Sequence, residues 1–252
     1  MALKLDKLAK DFHRFGFAVI EEFMSEAEMR DAEAELDRLM RAQRDGTESA
    51  DFFFEEDGKS IRQIERVNNH SQFFAKFNQD ERFAAVMQQL FGEDCQGDNL
   101  SYMAKAARIG AGAPAHQDNA YYCLKPPHAL TFWIALDDSK EENGCVRVVP
   151  GSHLEPLVAH QPSGDDGLSQ SLVDDPDPQT EVPLIVKRGN CSIHHCRTIH
   201  RSLPNTSARS RRALLMFARS VASEVDQECL ARYHAIRQQM YDRINEKQSK
   251  ET

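Results

Sequence analysis

Two histidines and one aspartate in this sequence could together hold one metal ion. His116 and Asp118 are separated by a single residue, and His200 lies much further along the chain. Two imidazoles and a carboxylate are the ligand set of mononuclear non-haem iron sites, which keep three coordination positions open for other molecules. Residues i and i+2 of a strand point to the same side. We therefore expect His116 and Asp118 to reach one ion from one strand, with Gln117 pointing away and His200 arriving from a neighbouring strand.

Each of these residues also has an ordinary structural explanation. Pairs of the H-x-D type arise by chance, and a single histidine is more often a hydrogen-bonded core residue than a ligand. Arg211 strengthens the metal hypothesis, because it follows His200 by eleven residues and begins an apolar run. The alternative is that Arg211 belongs to a solvated basic run, RSRR. In a strand, Arg212 would point to the face opposite Arg211.

Composition limits the class of protein. With 252 residues, 40% apolar residues and 14 Phe, the chain can form one large domain with a sizeable core. The net charge of -9 argues against general nucleic-acid binding, although a local arginine cluster can still bind a small anion. No stretch approaches the roughly 20 apolar residues that span a membrane. The opening MALKLDKLAKDFHRFGF does not resemble a secretory signal, and six scattered cysteines indicate a reducing compartment, so we expect a cytoplasmic protein.

The first third of the chain has mainly helical patterns. Apolar residues at helical spacing predict a helix over 3–15, and the run over 17–20 predicts a short strand. The sequence from Ser25 to Glu28 matches a capping box and predicts a helix over 26–42. A further helix is predicted over 80–90, ending at Gly92. These helices would support the segments that carry the candidate ligands.

From about residue 99 the patterns favour strands. Residues 99–108 and 129–137 alternate or are densely apolar, and the Asn-Gly pair after LTFWIALDD predicts a hairpin with CVRVVPGSH. The polar segment 160–180 is interpreted as one long surface loop, which is either a lid over a site or a plain insertion. The tail from residue 224 has a helical pattern. Together these elements predict a β-barrel or sandwich with helices packed outside it.

Three segments resemble the phytanoyl-CoA dioxygenase family of Fe(II)- and 2-oxoglutarate-dependent oxygenases: AHQDNAYY (115–122), FWIALDDSKEENGCVRVVPGSH (132–153) and HHCRTIHRSLPNTSARSRRAL (194–214). The opening FGFAVIEEFMSEAEM (15–29) is similar as well. The resemblance implies a mainly β fold with flanking α-helices, a double-stranded β-helix of the jelly-roll or cupin type. It implies one domain over 1–252, with helical support over 1–95, the barrel over 96–222 and a C-terminal helix over 223–252.

The resemblance also implies roles for individual residues. His116, Asp118 and His200 would bind iron, and Arg211 would hold the distal carboxylate of 2-oxoglutarate through two parallel hydrogen bonds. Further cosubstrate contacts are expected from the matching positions Ser202, Trp133, Lys105 and Tyr102, although Trp133 is equally explained as a core aromatic. His195 is interpreted as a residue behind the metal ligands, and His194 carries less information still.

Substrate contacts are expected from the residues just after the ligand pair and from the N-terminal part. Asn119, Tyr121 and Tyr122 follow Asp118 directly and should line the mouth of the barrel. Gln63 and Arg66 are further candidates, and this set would suit a polar or anionic small molecule. The alternative for Arg66 and its neighbour Arg62 is ordinary ion pairing with nearby glutamates.

The expected reaction uses Fe(II), 2-oxoglutarate and O2, with ascorbate as a possible reductant. Related halogenases lack the carboxylate ligand, so the presence of Asp118 favours hydroxylation with release of succinate and CO2. One alternative is a catalytically idle metal- and 2-oxoglutarate-binding barrel that acts as a sensor or scaffold. A zinc hydrolase is a third hypothesis, but it leaves Arg211 without a role. The sequence sets neither the substrate nor the oligomeric state.

Overall fold

The computed structural model describes residues 5–46, 51–163 and 169–248. Within these ranges the helices are α1 (Leu5–Phe15), α2 (Glu26–Arg44), α3 (Val67–His70), α4 (Gln72–Phe77), α5 (Glu81–Phe91), α6 (Asn119–Tyr122) and α7 (Gln227–Gln248). The capping box at α2 is present, with the Ser25 side chain accepting from the Glu28 amide and the Glu28 carboxylate accepting from the Ser25 amide. Gly92 ends α5 in the left-handed conformation, as its sequence predicted.

The strands form two main sheets, in which every described pairing is antiparallel. The major sheet contains, in spatial order, β1 (Phe17–Ile20), β12 (Cys191–His195), β7 (Ala129–Ala135), β14 (Arg211–Ser220), β4 (Cys95–Lys105), β3 (Ile61–Ile64) and β2 (Phe52–Phe54). The minor sheet contains β11 (Val182–Pro183), β8 (Val146–Val148), β13 (His200–Ser202) and β5 (Ala113–His116). Two small pairs complete the set: β9 (His160–Pro162) with β10 (Gln170–Leu172), and β6 (Leu124–Lys125) with β15 (Glu224–Val225).

The two main sheets face each other as a jelly roll. The major sheet packs against the minor sheet on its inner face and against the helices on its outer face. Its inner face packs Trp133, Ala135 and Ala213 against Val146 and Val148 of the minor sheet. Its outer face is covered by apolar residues of α1, α2, α4 and α5, which join it in one continuous cluster. The strand alternation therefore sorts side chains into a barrel interior and a helix-covered exterior.

The part over 1–95 that was predicted to be mostly helical also supplies strands. β1 extends the major sheet beside β12, and β3 with β2 extends its other end beside β4. Among the described residues, no helix is long and apolar enough to cross a membrane. The predicted helix over 3–15 is described from Leu5 onwards.

The hairpin predicted at the Asn-Gly pair is wrong. β7 lies in the major sheet and β8 in the minor sheet, so the segment between them crosses from one sheet to the other. The Asn143 side chain shapes this crossing, because it accepts from the Lys140 amide at 2.7 Å and donates to the Asp138 carbonyl at 2.7 Å. Gly144 has φ +76°, and a Cβ there would lie 2.3 Å from the Leu203 carbonyl oxygen. The pair thus marks a left-handed backbone position rather than a two-residue hairpin.

The segment 160–180 is not one plain loop. It contains the antiparallel pair of β9 and β10, here called the β9–β10 hairpin, and a short 3₁₀ turn at Pro178–Thr180. Residues 164–168, between the two strands, lie outside the described residues. The root of the hairpin is fastened to the ligand-bearing segment. The Gln117 side chain accepts from the Val158 backbone amide at 2.9 Å and donates to the Arg197 carbonyl at 2.7 Å. The Gln117 backbone amide donates to His160 Nε2.

Candidate metal centre and cosubstrate pocket

The structure brings His116, Asp118 and His200 together in one cluster. His200 opens β13 directly opposite His116 at the end of β5. One ligand atom from each residue lies within 4.8 Å of the others. Asp118 Oδ1 is 3.6 Å from His116 Nε2 and 3.7 Å from His200 Nε2. Three donors at these separations can coordinate one ion.

Asp118 reaches the cluster by a route that strand alternation did not predict. β5 ends at His116, and Asp118 already has helical backbone angles (φ -55°, ψ -34°) at the start of α6. The turn into α6, and not a shared strand face, brings the carboxylate beside the imidazole. Gln117 does point away, and its side chain is fully buried.

Hydrogen bonds behind both histidines orient the rings. His116 Nδ1 lies 2.8 Å from the Pro114 carbonyl oxygen, and His200 Nδ1 lies 2.9 Å from the Thr198 carbonyl oxygen. Each carbonyl can only accept, so the Nδ1 atoms carry the protons and the Nε2 lone pairs face the cluster. This arrangement is the common one for histidines that bind a metal.

Burial and mutual charge set the protonation of the cluster. Burial lowers the pKa of both His116 and His200, so the imidazoles are neutral near pH 7. Burial alone would raise the pKa of Asp118, but the nearby rings of His200, His194 and His116 outweigh it and hold the pKa far below its usual value. Two neutral nitrogens and one carboxylate are deprotonated donors, which fit a divalent cation.

His194 is a site residue that the sequence reasoning missed. Its ring is 3% exposed, its Nε2 lies 3.3 Å from Asp118 Oδ2, and its centroid lies 4.4 Å from that of His200. His195, on the other face of β12, packs near Phe12 and Phe91 under the helices. Strand alternation could have shown that the two neighbours face opposite ways, but not which one faces inward.

Arg211 lies inside the barrel as a cation that forms no ion pair within the described part of the chain. Its side chain is 4% exposed, Nη1 donates to the Gly144 carbonyl at 2.9 Å, and the guanidinium carbon lies 5.1 Å from the centre of the Trp133 ring. The buried Nε has no hydrogen-bond partner, and within the described residues no carboxylate lies within 4 Å. Burial lowers the pKa of Arg211 to about 10, so it stays charged near pH 7. Arg212 faces the other way, where it pairs with Asp137 and Glu33.

Lys105 neighbours Arg211 across the major sheet, and Ser202 is the predicted contact on the minor sheet; the three residues are called the candidate cosubstrate pocket. Lys105 is the cross-strand partner of Arg211 and is 5% exposed, with Nζ donating to the Leu203 carbonyl. Burial, followed by the charge of Arg211, lowers the pKa of Lys105 to about 6. Ser202 is buried two residues after His200 and therefore on the same face of β13. An anion bound here would meet the charged Arg211 and a lysine that can gain a proton beside it.

Strand β7 connects the pocket to the metal cluster. Thr131 donates to Asp118 Oδ2 at 2.6 Å, and Trp133, two residues on, lies under Arg211. Two residues of antiparallel strand span about 7 Å. A five-carbon dicarboxylate has a comparable length, so one end could reach the metal while the other reaches Arg211.

Tyr102 does not belong to this pocket. It pairs in register with Leu214, on the face of the major sheet opposite to Lys105 and Arg211, and it belongs to the helix-covered cluster. The predicted cosubstrate contact is corrected for this reason. Burial raises the pKa of its hydroxyl well above the usual value.

Among the predicted substrate contacts, Tyr121 and Tyr122 lie nearest to the cluster. The Tyr121 ring is perpendicular to that of His116 at 5.9 Å, and its hydroxyl donates to the Gln170 carbonyl at 2.7 Å. Tyr122 stacks on Phe217 at 3.5 Å. Asn119 is instead buried and bonded to the Leu124 backbone in both directions, which commits its side chain to the loop after α6.

The N-terminal candidates are placed differently. Arg66 forms an ion pair with Asp51 and lies 3.6 Å from Glu65, which matches the ion-pair alternative rather than a substrate contact. Gln63 is paired with Met103 and shares its face of the major sheet, but its amide bonds to Glu65 at 3.4 Å. The structure therefore does not bring Arg66 to the cluster.

Comparison with known proteins agrees with this geometry. The family model "Phytanoyl-CoA dioxygenase (PhyH)" matches residues 12–213. A phytanoyl-CoA dioxygenase of Arabidopsis thaliana is 31% identical over 240 residues, covering 80% of this chain and 84% of the relative. A protein of Stutzerimonas stutzeri named probable alpha-ketoglutarate-dependent hypophosphite dioxygenase is 30% identical over 174 residues, covering 65% of this chain and 60% of the relative.

Solved structures share the fold. EvdO2 from Micromonospora carbonacea var. aurantiaca, complexed with 2-oxoglutarate, superposes with a TM-score of 0.66 at 25% identity, covering 87% of this chain and 92% of that one. The fold and the His-Asp-His cluster define the class, a jelly-roll enzyme of the non-haem iron, 2-oxoglutarate-dependent oxygenases. Within that class, the chain belongs to the phytanoyl-CoA dioxygenase family.

Proposed function

We propose that this enzyme hydroxylates a small-molecule substrate while 2-oxoglutarate is converted to succinate and CO2. The observation that carries the proposal is Arg211, a buried guanidinium that lacks an anionic partner among the described residues. It packs on Trp133, which lies two residues along β7 from Thr131, and Thr131 contacts Asp118. A buried charge without a partner is costly, so its retention is explained by an anionic ligand. The distal carboxylate of 2-oxoglutarate supplies that anion.

In this proposal His116, Asp118 and His200 hold Fe(II), and Arg211, Lys105 and Ser202 hold the distal carboxylate. The bound iron and its cosubstrate supply the oxidising chemistry with O2, and ascorbate serves as a possible reductant. The two histidines stay neutral because burial lowers their pKa, which keeps their nitrogens free to bind. Trp133 packs against Arg211 and fixes the guanidinium by a cation–π contact.

The substrate is proposed to enter beside Tyr121 and Tyr122. The relative named for hypophosphite supports a small polar or anionic substrate, since hypophosphite is a small anion. Arg66 is not included among the proposed substrate contacts, because it forms an ion pair with Asp51. We further assign residues 1–252 to one domain, because one continuous apolar cluster joins the N-terminal helices to the barrel. We also propose a cytoplasmic location, which suits the six free cysteines.

A turnover assay tests this proposal. With Fe(II), ascorbate, 2-oxoglutarate and a panel of polar and anionic small molecules, succinate should form in excess over the substrate-free rate for at least one compound. Asp118→Ala should abolish that turnover, because it removes the carboxylate ligand of the described cluster. Equal succinate formation by wild type and Asp118→Ala would refute the assignment.

A further inference from the structure

The two oxygens of the Asp118 carboxylate have different surroundings. Oδ1 is the oxygen that lies 3.6 Å and 3.7 Å from the Nε2 atoms of His116 and His200. Oδ2 accepts a hydrogen bond from Thr131 Oγ1 at 2.6 Å and lies 3.3 Å from His194 Nε2. One oxygen is therefore grouped with the ligand nitrogens, and the other with two side chains outside the triad.

Thr131 and His194 are built into the scaffold as a pair. They are direct cross-strand partners on β7 and β12 of the major sheet, and they are 7% and 3% exposed. The ligand histidines, in contrast, belong to β5 and β13 of the minor sheet. The carboxylate thus lies between two ligands from one sheet and two supporting side chains from the other.

His194 has no other polar role in the part of the chain that the structure describes. Neither of its ring nitrogens makes a hydrogen bond there, although the ring is almost fully buried. A buried imidazole without a partner is unfavourable, so a hydrogen bond to Oδ2 when the carboxylate engages a metal would satisfy it. Thr131 already makes the equivalent contact.

We propose that Thr131 and His194 are positioning residues that hold Oδ2 of Asp118 and leave Oδ1 as the single carboxylate oxygen for the metal. A carboxylate that bound through both oxygens would take one of the three positions that the cosubstrate and O2 need. Hydrogen bonds to the free oxygen of a metal-bound carboxylate prevent that rotation and orient the ligand. This inference rests on the proposed function only for the identity of the metal.

Metal binding by the protein without cosubstrate tests the inference. Co(II) is titrated into metal-free wild type, Thr131→Val, Thr131→Ser and His194→Phe, with the dissociation constant read by calorimetry and the coordination number by the visible spectrum. We expect about 10–100-fold weaker binding for Thr131→Val and for His194→Phe, the range found when groups that support metal ligands are removed. Thr131→Ser retains the hydroxyl and should bind as wild type.

His195→Phe is the matched control, because it changes the adjacent residue of β12 on the face that packs near Phe12 and Phe91. It should leave both the Co(II) affinity and the spectrum as in wild type. If Thr131→Val does not fold, the comparison of Thr131→Ala with Thr131→Ser decides. Wild-type affinity and spectrum in Thr131→Val overturn the role of Thr131, and the same result in His194→Phe overturns that of His194.

The outcome is separable from the proposed function. The titration contains neither 2-oxoglutarate nor substrate, so weakened metal binding in the variants supports the inference even when no compound stimulates succinate formation. Wild-type turnover together with unchanged metal binding in both variants overturns the inference and leaves the proposed function intact.

Discussion

Lys105 and Arg211 are two buried cations that face each other across adjacent strands. Each is destabilised in its charged form by burial, and the charge of Arg211 adds to the effect on Lys105. Such a pair is stable only because the charge is partly relieved, through deprotonation of the lysine or through a bound anion. The protonation of Lys105 should therefore depend on whether the pocket holds a carboxylate.

This gives a pH-dependent prediction. In the free protein Lys105 has a pKa of about 6, so it is mostly neutral at pH 7.5. A carboxylate beside Nζ favours the ammonium form, so binding should take up as much as about one proton at pH 7.5. The affinity for 2-oxoglutarate should then be highest below pH 6 and fall as the pH rises above it, because protonation must accompany binding there.

Anaerobic calorimetry of 2-oxoglutarate binding to the Fe(II)-loaded protein, repeated in buffers with different ionisation enthalpies, measures this proton uptake. Lys105→Met should abolish it, and Lys125→Met, a substitution of an exposed lysine, should not. Absence of proton uptake by wild type, or the same uptake by Lys105→Met, would contradict the assigned contact.

For individual residues, the sequence predicted the triad that the structure brings together, and it singled out Arg211, because their chemistry depends on residue type and order. It did not show His194, since two consecutive histidines on a strand differ only in which face they occupy. It also grouped Tyr102 with Lys105, although the two are three positions apart along β4 and their side chains therefore lie on opposite faces.

Among the contacts between larger elements, the Gln117 side chain fastens the segment before β9 to the metal-binding turn. The Gln117 amide satisfies the Val158 N–H and the Arg197 carbonyl at once, and it is fully buried. Replacing it would leave both backbone groups without that partner. We expect Gln117→Ala to lower the free energy of unfolding by about 2–3 kcal/mol, from two lost hydrogen bonds with part of the desolvation penalty.

Urea denaturation of the metal-free protein measures this loss. The control is Gln161→Ala, an exposed glutamine of β9 whose amide reaches the Leu172 carbonyl at 3.3 Å. It should change the free energy of unfolding by about 0.5 kcal/mol or less. A similar small effect in Gln117→Ala would show that the fastening contributes little.

Local signals predicted the elements better than their partners. The capping box at Ser25 and the left-handed Gly92 are local features, and both were read correctly. The Asn143–Gly144 pair wrongly predicted a hairpin. An Asn-Gly pair favours a left-handed backbone, and such a backbone occurs both in two-residue hairpins and in this crossing between sheets. Which strand lies beside which is decided by contacts far apart in sequence, as in the pairing of β1 with β12.

At the scale of the whole molecule, composition and pattern were enough for a barrel with external helices, and the resemblance supplied the jelly roll. Between the two main sheets we propose a metal held by His116, Asp118 and His200 and a dicarboxylate that runs from the metal to Arg211. Truncating one member of a buried charge pair typically costs about 2–5 kcal/mol, which corresponds to roughly 30-fold or more in affinity.

An anaerobic titration of the Fe(II)-loaded protein with 2-oxoglutarate, followed by visible absorbance, tests that claim most directly. Wild type should develop a weak charge-transfer band that saturates with 2-oxoglutarate. Arg211→Ala should need roughly 30-fold or more cosubstrate for the same band. Arg219→Ala, which changes a partly exposed arginine near the other end of the same strand, should behave as wild type. A wild type without any band, or an Arg211→Ala titration that coincides with that of wild type, would contradict the account.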